Sequence, residues 1–145
     1  MPKATPLPKI LRKRSKLHGD GVFAVEPINK NKRIIDYAGE LITNKQSESR
    51  EDRYLKKGCI WVFRVNRNWS RDANVGGNDA RFINHSCTPN CEIEYYRSSI
   101  FILAKRSIER DEELTYDYGE EYFDEHIKPK GCRCTACAKK KRSPK

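Results

Sequence analysis

Six short segments rich in Val, Ile, Phe and Tyr constrain the fold of this chain most strongly. Residues of these types favour strands, and most of the segments are bounded by turn residues. They are GVFAV (Gly21–Val25), RIIDYAGELI (Arg33–Ile42), IWVFRV (Ile60–Val65), CEIEYY (Cys91–Tyr96), SSIFILAKRSI (Ser98–Ile108) and ELTYDYG (Glu113–Gly119). We therefore expect an α+β fold, mainly β, of several small sheets, and 145 residues suffice for one core.

One helix is predicted over residues 44–57. Thr43 can cap its start with Gln46 three residues later, and Gly58 can end it. The segment is polar and Tyr54 is one of its few apolar anchors, so we expect the helix at the surface. A hairpin turn is predicted at Arg97–Ser98, between two of the strand segments.

The net charge of +10 is unevenly distributed along the chain. Residues 1–16 contain six Lys and Arg and residues 128–145 contain eight, with no acid in either stretch, whereas residues 17–127 have a net charge of −4. Basic ends are typical of solvated tails, which can also make weak contacts with nucleic-acid phosphates. Nine acids against one base between Glu109 and Glu125 favour a cationic substrate.

Composition predicts an intracellular protein that does not associate with membranes. Charged residues make up 34% of the chain, mean hydropathy is −0.89, and no apolar run is long enough for a bilayer. The first residues lack the apolar core of a secretory signal. Six cysteines in such a chain indicate thiols or metal ligands in a reducing compartment rather than disulfides.

The segment RFINHSCTPNC (Arg81–Cys91) concentrates polar and sulfur-containing side chains in eleven residues. Taken alone, it is compatible with a metal site, with a nucleophile and its base, or with a packed polar turn.

A second cluster, GCRCTAC, contains Cys132, Cys134 and Cys137. A Cys-x-Cys pair is too close in sequence for an unstrained disulfide, whereas three thiolates form three quarters of a tetrahedral zinc site. Ordinary buried thiols are the alternative. Candidates for a fourth ligand are Cys87, Cys91, Cys59, His85, His126 and His18.

Five segments, in this order, resemble a SET-domain protein lysine methyltransferase followed by a cysteine-rich post-SET segment. They are HGDGVFA (His18–Ala24), DYAGELI (Asp36–Ile42), GNDARFINHSCTPNC (Gly77–Cys91), ELTYDYG and GCRCTAC. The resemblance implies a basic tail at residues 1–15, a SET domain at 16–120, a post-SET zinc segment at 121–139 and a second basic tail at 140–145.

The family resemblance also implies a knot-like threading that brings RFINHSC beside ELTYDYG near the active site. The implied reaction is methylation of lysine in a basic protein, histone or histone-like, with S-adenosyl-L-methionine as cofactor and mainly mono- with some dimethylation. The implied location is the nucleus and chromatin in a eukaryote, or the cytoplasm or nucleoid in a bacterium. A non-catalytic peptide- or chromatin-binding module is the alternative, and the oligomeric state stays open.

Residue roles follow from the same resemblance. Tyr118 and Tyr116 are the expected catalytic residues, and Phe63 is expected to be core packing. The expected substrate channel contains Tyr37, Phe82 and Tyr116. The expected cofactor-binding residues are His18, Gly19, Asp20, Gly21, Trp61, Arg81, Asn84, His85 and Arg133. The expected zinc ligands are Cys87, Cys132, Cys134 and Cys137, with Cys59 and Cys91 as small buried residues.

Overall fold

The computed structural model describes residues 7–17, 19–57 and 61–119. Within these ranges the chain forms ten short strands, one α-helix and one 3₁₀ helix. The strands are β1 (Ile10–Arg14), β2 (Asp20–Ala24), β3 (Arg33–Asp36), β4 (Glu40–Thr43), β5 (Val62–Arg64), β6 (Trp69–Asp72), β7 (Asn84–His85), β8 (Cys91–Tyr96), β9 (Ser99–Ala104) and β10 (Thr115–Tyr116); the helix α1 is Asn44–Lys56 and the 3₁₀ helix is Asp79–Phe82. The predicted α+β, mainly β class is confirmed.

The chain divides into two compact units. Among the described residues, the first contains 7–17, 19–32, 82–92 and 104–119, and the second contains 33–57, 61–81 and 93–103. In the ranges that the structure describes, neither unit has a helix long and apolar enough to cross a membrane.

Two strand pairs form the framework of the first unit. β1 and β2 pair antiparallel, and β7 and β10 pair parallel. Burial of an aliphatic side chain contributes about 1.5–3 kcal/mol, so even a small core can hold strands of two residues in place. The almost completely buried aliphatic residues described in this unit are Val22, Ala24, Ile28, Ile83, Ala104, Ile108 and Leu114.

β1 lies in the stretch that the sequence assigns to a basic tail. Its five residues pair with β2, from Ile10 opposite Ala24 to Arg14 opposite Asp20. All but the first are exposed, so β1 lacks the apolar alternation by which a strand is recognised in sequence. Residues 10–14 of the stretch expected as a basic tail therefore form a strand.

The second unit carries most of two three-stranded sheets, ordered β3–β9–β8 and β4–β6–β5. The predicted segment Arg33–Ile42 is divided between them, because β3 joins the first sheet and β4 the second. At the division, a Cβ on Gly39 would lie 2.5 Å from the carbonyl oxygen of Asp72, so the backbones approach too closely for a larger residue. The predicted hairpin at Arg97–Ser98 is confirmed, with Arg97 in a left-handed conformation (φ 55°).

Helix α1 begins as the sequence predicts. The backbone nitrogen of Gln46 donates to Oγ1 of Thr43 at 3.1 Å, and the backbone nitrogen of Thr43 donates to Oε1 of Gln46 at 3.0 Å. This reciprocal pair is a capping box. The helix ends at Lys56, and the expected stop, Gly58, lies outside the described residues.

A buried carboxylate joins α1 to its neighbouring sheet within the second unit. Asp72 of β6 is completely buried. It accepts hydrogen bonds from the hydroxyl of Tyr54 at 2.7 Å, from Nη1 of Arg50 at 2.9 Å and from the backbone nitrogen of Asn74 at 2.9 Å. Burial, together with the hydrogen bond to Asp72, raises the pKa of Tyr54, so its hydroxyl remains a donor. Three donors offset the cost of burying this charge.

Replacing Tyr54 with phenylalanine should lower the free energy of unfolding by about 1.5–3 kcal/mol, because one hydrogen bond to a buried charged group is lost. Urea unfolding measures this change. Tyr96→Phe is the matched control, since Tyr96 is 54% exposed and loses a hydroxyl at the surface. Equal stability losses in the two variants would show that the hydrogen bond between Tyr54 and Asp72 does not stabilise the protein.

Candidate active site

Three segments of the first unit converge where the sequence motifs predict the site. They are the turn at Gly19–Gly21, the segment Phe82–His85 and the segment Thr115–Tyr118. In the parallel pair of β7 and β10, Asn84 lies opposite Thr115 and His85 lies opposite Tyr116. The predicted proximity of RFINHSC and ELTYDYG is therefore confirmed.

Tyr118 follows the end of β10, and both its hydroxyl and its backbone nitrogen are hydrogen-bonded. Its hydroxyl donates to the carbonyl oxygen of Ile83 at 2.5 Å, and its backbone nitrogen donates to Nδ1 of His85 at 3.1 Å. Its ring centroid lies 4.9 Å from that of Tyr116 and 5.3 Å from that of His85. Burial raises the pKa of Tyr118, and the charge of Glu113 raises it further, so the phenol is protonated at neutral pH.

His85 is a buried, neutral imidazole. Burial lowers its pKa, although Asp117, with Oδ1 3.8 Å from Nδ1, partly opposes this effect. Because Nδ1 accepts the amide proton of Tyr118, the ring proton lies on Nε2, which is 3.4 Å from Sγ of Cys87. His85 thus connects Tyr118 to Cys87 within the first unit. Its contact with a cofactor stays a prediction.

Asn84 links β7 to the turn before β2. Its Nδ2 donates to the backbone carbonyl of Asp20 at 3.1 Å and to Oε2 of Glu113 at 2.9 Å. A buried amide without such partners would cost about 1–3 kcal/mol, so these bonds explain how Asn84 is tolerated in the interior. Asn84 thereby holds the predicted cofactor turn against the second motif.

The predicted cofactor turn contains two glycines, Gly19 and Gly21, which differ in backbone conformation. Gly19 has a φ of 48°, a left-handed conformation that glycine adopts without strain. Asp20 accepts from Nε of Arg12 at 2.9 Å, and the guanidinium carbon of Arg12 lies 3.7 Å from the ring centroid of Phe82. His18 lies outside the described residues.

The remaining candidates of the SET-like motifs belong to the second unit. Tyr37 is buried, with its ring centroid 5.0 Å from that of Phe63. Phe63, expected in the core, is half-buried, and its ring centroid lies 6.3 Å from that of the exposed Tyr95. The guanidinium carbon of Arg81 lies 4.9 Å from the ring centroid of Trp61. All of these contacts lie within the second unit. The substrate-channel role of Tyr37 and the cofactor-binding roles of Trp61 and Arg81 stay predictions.

The described chain contains only part of the predicted zinc site. Cys87 is exposed, whereas Cys132, Cys134, Cys137 and the cofactor candidate Arg133 lie outside the described residues, as does Cys59. Among the described residues, no group of three or more His, Cys, Asp or Glu could hold a metal. Cys91 is buried, as predicted, and burial raises its pKa to about 12.

Three residues at this site, Glu113, Ser15 and Arg12, are absent from the predicted site residues. Glu113 accepts hydrogen bonds from both Asn84 and Ser15, and Arg12 contacts both Asp20 and Phe82. Glu113 opens the ELTYDYG segment, so its position in a motif was a signal that could have been used. Ser15 and Arg12 precede the first motif and carry no comparable signal.

Residues 19–119, more than half of the chain, match the family model of the SET domain. The chain belongs to the SET-domain family. This SET domain includes all three converging segments of the first unit, from the Gly19 turn to Tyr118, so the SET-domain part of the resemblance is confirmed. The match ends at residue 119, and the post-SET segment stays a prediction.

This SET domain is also similar to curated histone-lysine N-methyltransferases. It is 43% identical over 132 residues to the H3 lysine-4 specific enzyme of Aspergillus oryzae, 41% over 128 residues to that of Schizosaccharomyces pombe, and 43% over 132 residues to the enzyme trr of Drosophila melanogaster. The alignments cover 86%, 84% and 87% of this chain but 11%, 14% and 5% of those relatives. The chain thus spans a small part of their length.

Proposed function

We propose that this SET domain is a protein-lysine N-methyltransferase that uses S-adenosyl-L-methionine and acts on a basic protein, histone or histone-like. The observation that carries the proposal is the anchoring of Tyr118, whose hydroxyl is held by Ile83 beside the ring of Tyr116. Lysine 4 of histone H3 is the first substrate to test, because two of the relatives are named for that specificity. The corresponding location is chromatin in a eukaryotic nucleus, or the cytoplasm or nucleoid of a bacterium.

The residues around the Gly19 turn fit a cationic cofactor that carries an amine. Nδ2 of Asn84 donates to the carbonyl oxygen of Asp20 and to Glu113, and its Oδ1 is the acceptor atom of the side chain. Asn84 and the turn of Gly19, Asp20 and Gly21 would hold the cofactor. When bound, S-adenosyl-L-methionine supplies a methyl group on a positively charged sulfur.

Tyr118 would orient the target amine rather than deprotonate it. A free lysine has a pKa of about 10.4, and the amine must be neutral to attack. Since the Tyr118 phenol is itself protonated and directs its hydrogen to Ile83, it offers oxygen lone pairs to an amine N–H. The ring of Tyr116, with its centroid 4.9 Å from that of Tyr118, would help to desolvate the amine, which favours its neutral form. Alignment of the amine is then the main contribution of the protein.

Incubation with methyl-labelled S-adenosyl-L-methionine and a histone H3 tail peptide tests the proposed function. We expect label on the lysine and none on a matched peptide in which arginine replaces that lysine. Other basic proteins, in the same assay, would define the substrate range. Cofactor binding without transfer to any basic protein would contradict the enzymatic function and support a binding module.

The degree of methylation is expected to depend on Tyr116. This residue is buried next to Tyr118, and its hydroxyl can hold the amine or a water beside it. We expect mainly monomethyl-lysine with some dimethyl-lysine, and a shift towards higher methylation in Tyr116→Phe. A hydrogen bond of about 1 kcal/mol changes the ratio of successive rates several-fold.

Mass spectrometry of the peptide at limited turnover measures this product ratio. Tyr96→Phe, which removes an exposed hydroxyl, is the control and should leave the ratio unchanged. Abundant trimethyl-lysine from the unmodified protein would rule out Tyr116 as the determinant of product degree.

We further propose one structural zinc ion, with Cys87, Cys132, Cys134 and Cys137 as ligands. Four cysteine sulfurs are a donor set that suits tetrahedral zinc, and Cys87 is an exposed residue. The basic ends of the chain could add weak, salt-dependent contacts with nucleic acid.

A further inference from the structure

Glu113 joins three segments of the first unit that are distant in sequence. Its carboxylate accepts from Oγ of Ser15 at 2.7 and 2.9 Å and from Nδ2 of Asn84 at 2.9 Å. Ser15 is 98 residues away in the chain and Asn84 is 29 residues away. The carboxylate is half-buried, so its charge is less screened than that of a surface acid.

The second glycine of the turn makes room for this carboxylate. A Cβ on Gly21 would overlap Oε2 of Glu113 and would also lie 3.0 Å from Cβ of Ser15. Gly21 is not in a left-handed conformation, unlike Gly19, so a side chain here would displace the Glu113 carboxylate rather than strain the backbone. The structure therefore assigns Gly21 a role towards Glu113, separate from the cofactor contact expected for it.

Glu113 also determines which way the amide of Asn84 points. When Nδ2 points towards Glu113 and the carbonyl of Asp20, both of these groups accept a hydrogen bond from it. The reversed amide would put Oδ1 against a carboxylate and a carbonyl, which repel it. One orientation is thus selected, and a negative charge lies directly behind the amide.

We propose that Glu113 is a positioning residue for the cofactor, which fixes the amide of Asn84 and supplies a negative charge that favours the methyl donor over the spent product. This inference rests on the proposed function. S-adenosyl-L-methionine carries a sulfonium and an ammonium, whereas S-adenosylhomocysteine has lost the sulfonium charge. A nearby carboxylate therefore stabilises the donor more than the product, which promotes product release.

Calorimetric dissociation constants for both ligands, measured without a methyl acceptor, test the inference independently of activity. Glu113→Gln keeps the size and an amide oxygen that can accept from Asn84 but removes the charge. We expect about tenfold weaker binding of S-adenosyl-L-methionine and about threefold weaker binding of S-adenosylhomocysteine. Glu92→Gln, which removes an exposed charge of the same unit, should leave both constants nearly unchanged.

A second variant separates charge from packing. Ser15→Ala removes a hydrogen-bond donor to Glu113 but keeps the carboxylate. The affinities for both ligands should therefore decrease to the same small extent. If Glu113→Gln weakens both ligands equally, or matches the Glu92→Gln control, Glu113 does not act as proposed, even where Ser15→Ala behaves as expected. If the unmodified protein binds neither ligand, the proposed function itself fails.

Discussion

Tyr118→Phe is expected to reduce the rate of methyl transfer by about 10²–10³-fold in a protein that remains folded. The substitution removes only the hydroxyl that Ile83 holds at 2.5 Å. The hydrogen bond from the Tyr118 backbone to His85, and the ring contacts with Tyr116 and His85, do not use that hydroxyl. Since the hydroxyl orients the amine mainly in the transition state, the loss should fall on kcat rather than on cofactor affinity.

Initial rates of label transfer measure this effect, with S-adenosylhomocysteine affinity and urea unfolding as checks on the same variant. Tyr116→Phe is the matched control, because it removes a hydroxyl from the adjacent ring and should retain turnover. A folded Tyr118→Phe variant with near-normal transfer would show that another group orients the amine.

The local parts of the fold could be predicted from sequence because their signals are local. The capping box of α1 uses Thr43 and Gln46, three residues apart, and the hairpin at Arg97–Ser98 joins adjacent strands. The parallel pairing of β7 with β10 connects residues more than 30 positions apart and has no local signal. That pairing could be expected only from the family resemblance, which implies that RFINHSC lies beside ELTYDYG.

Other features escaped prediction because their physical basis lies in tertiary contacts. β1 has the composition of a solvated basic tail and becomes a strand by pairing with β2. Asp72 is indistinguishable by sequence from a surface acid, yet it is completely buried among three donors. Glu113 was recognised as part of a motif, but its bond to Ser15 spans 98 residues.

Cys87 has the surroundings expected of a thiolate ligand. It follows the buried pair Asn84–His85 and is itself exposed. The buried pair therefore holds the backbone next to the exposed cysteine. Nε2 of His85 lies 3.4 Å from that sulfur and carries the ring proton, and a donor at this position stabilises negative charge on sulfur. Cys91 contrasts with it, since burial raises its pKa to about 12 and its thiol donates to Oδ1 of Asn90.

Cys87→Ser should therefore abolish stoichiometric zinc binding, whereas Cys91→Ser should retain it. Elemental analysis of freshly purified, reduced protein measures metal content, with about one zinc per chain expected for the unmodified protein. A tetrahedral site that loses one of four sulfurs binds its metal far more weakly, and metal binding is coupled to the folding of its ligand segment. Because Cys87 adjoins the Asn84–His85 segment, Cys87→Ser should also weaken S-adenosylhomocysteine binding, and Cys91→Ser should not. If Cys87→Ser retained zinc at full occupancy, this thiol would not be a ligand. If the unmodified protein contained no zinc, the proposed zinc site would be wrong altogether.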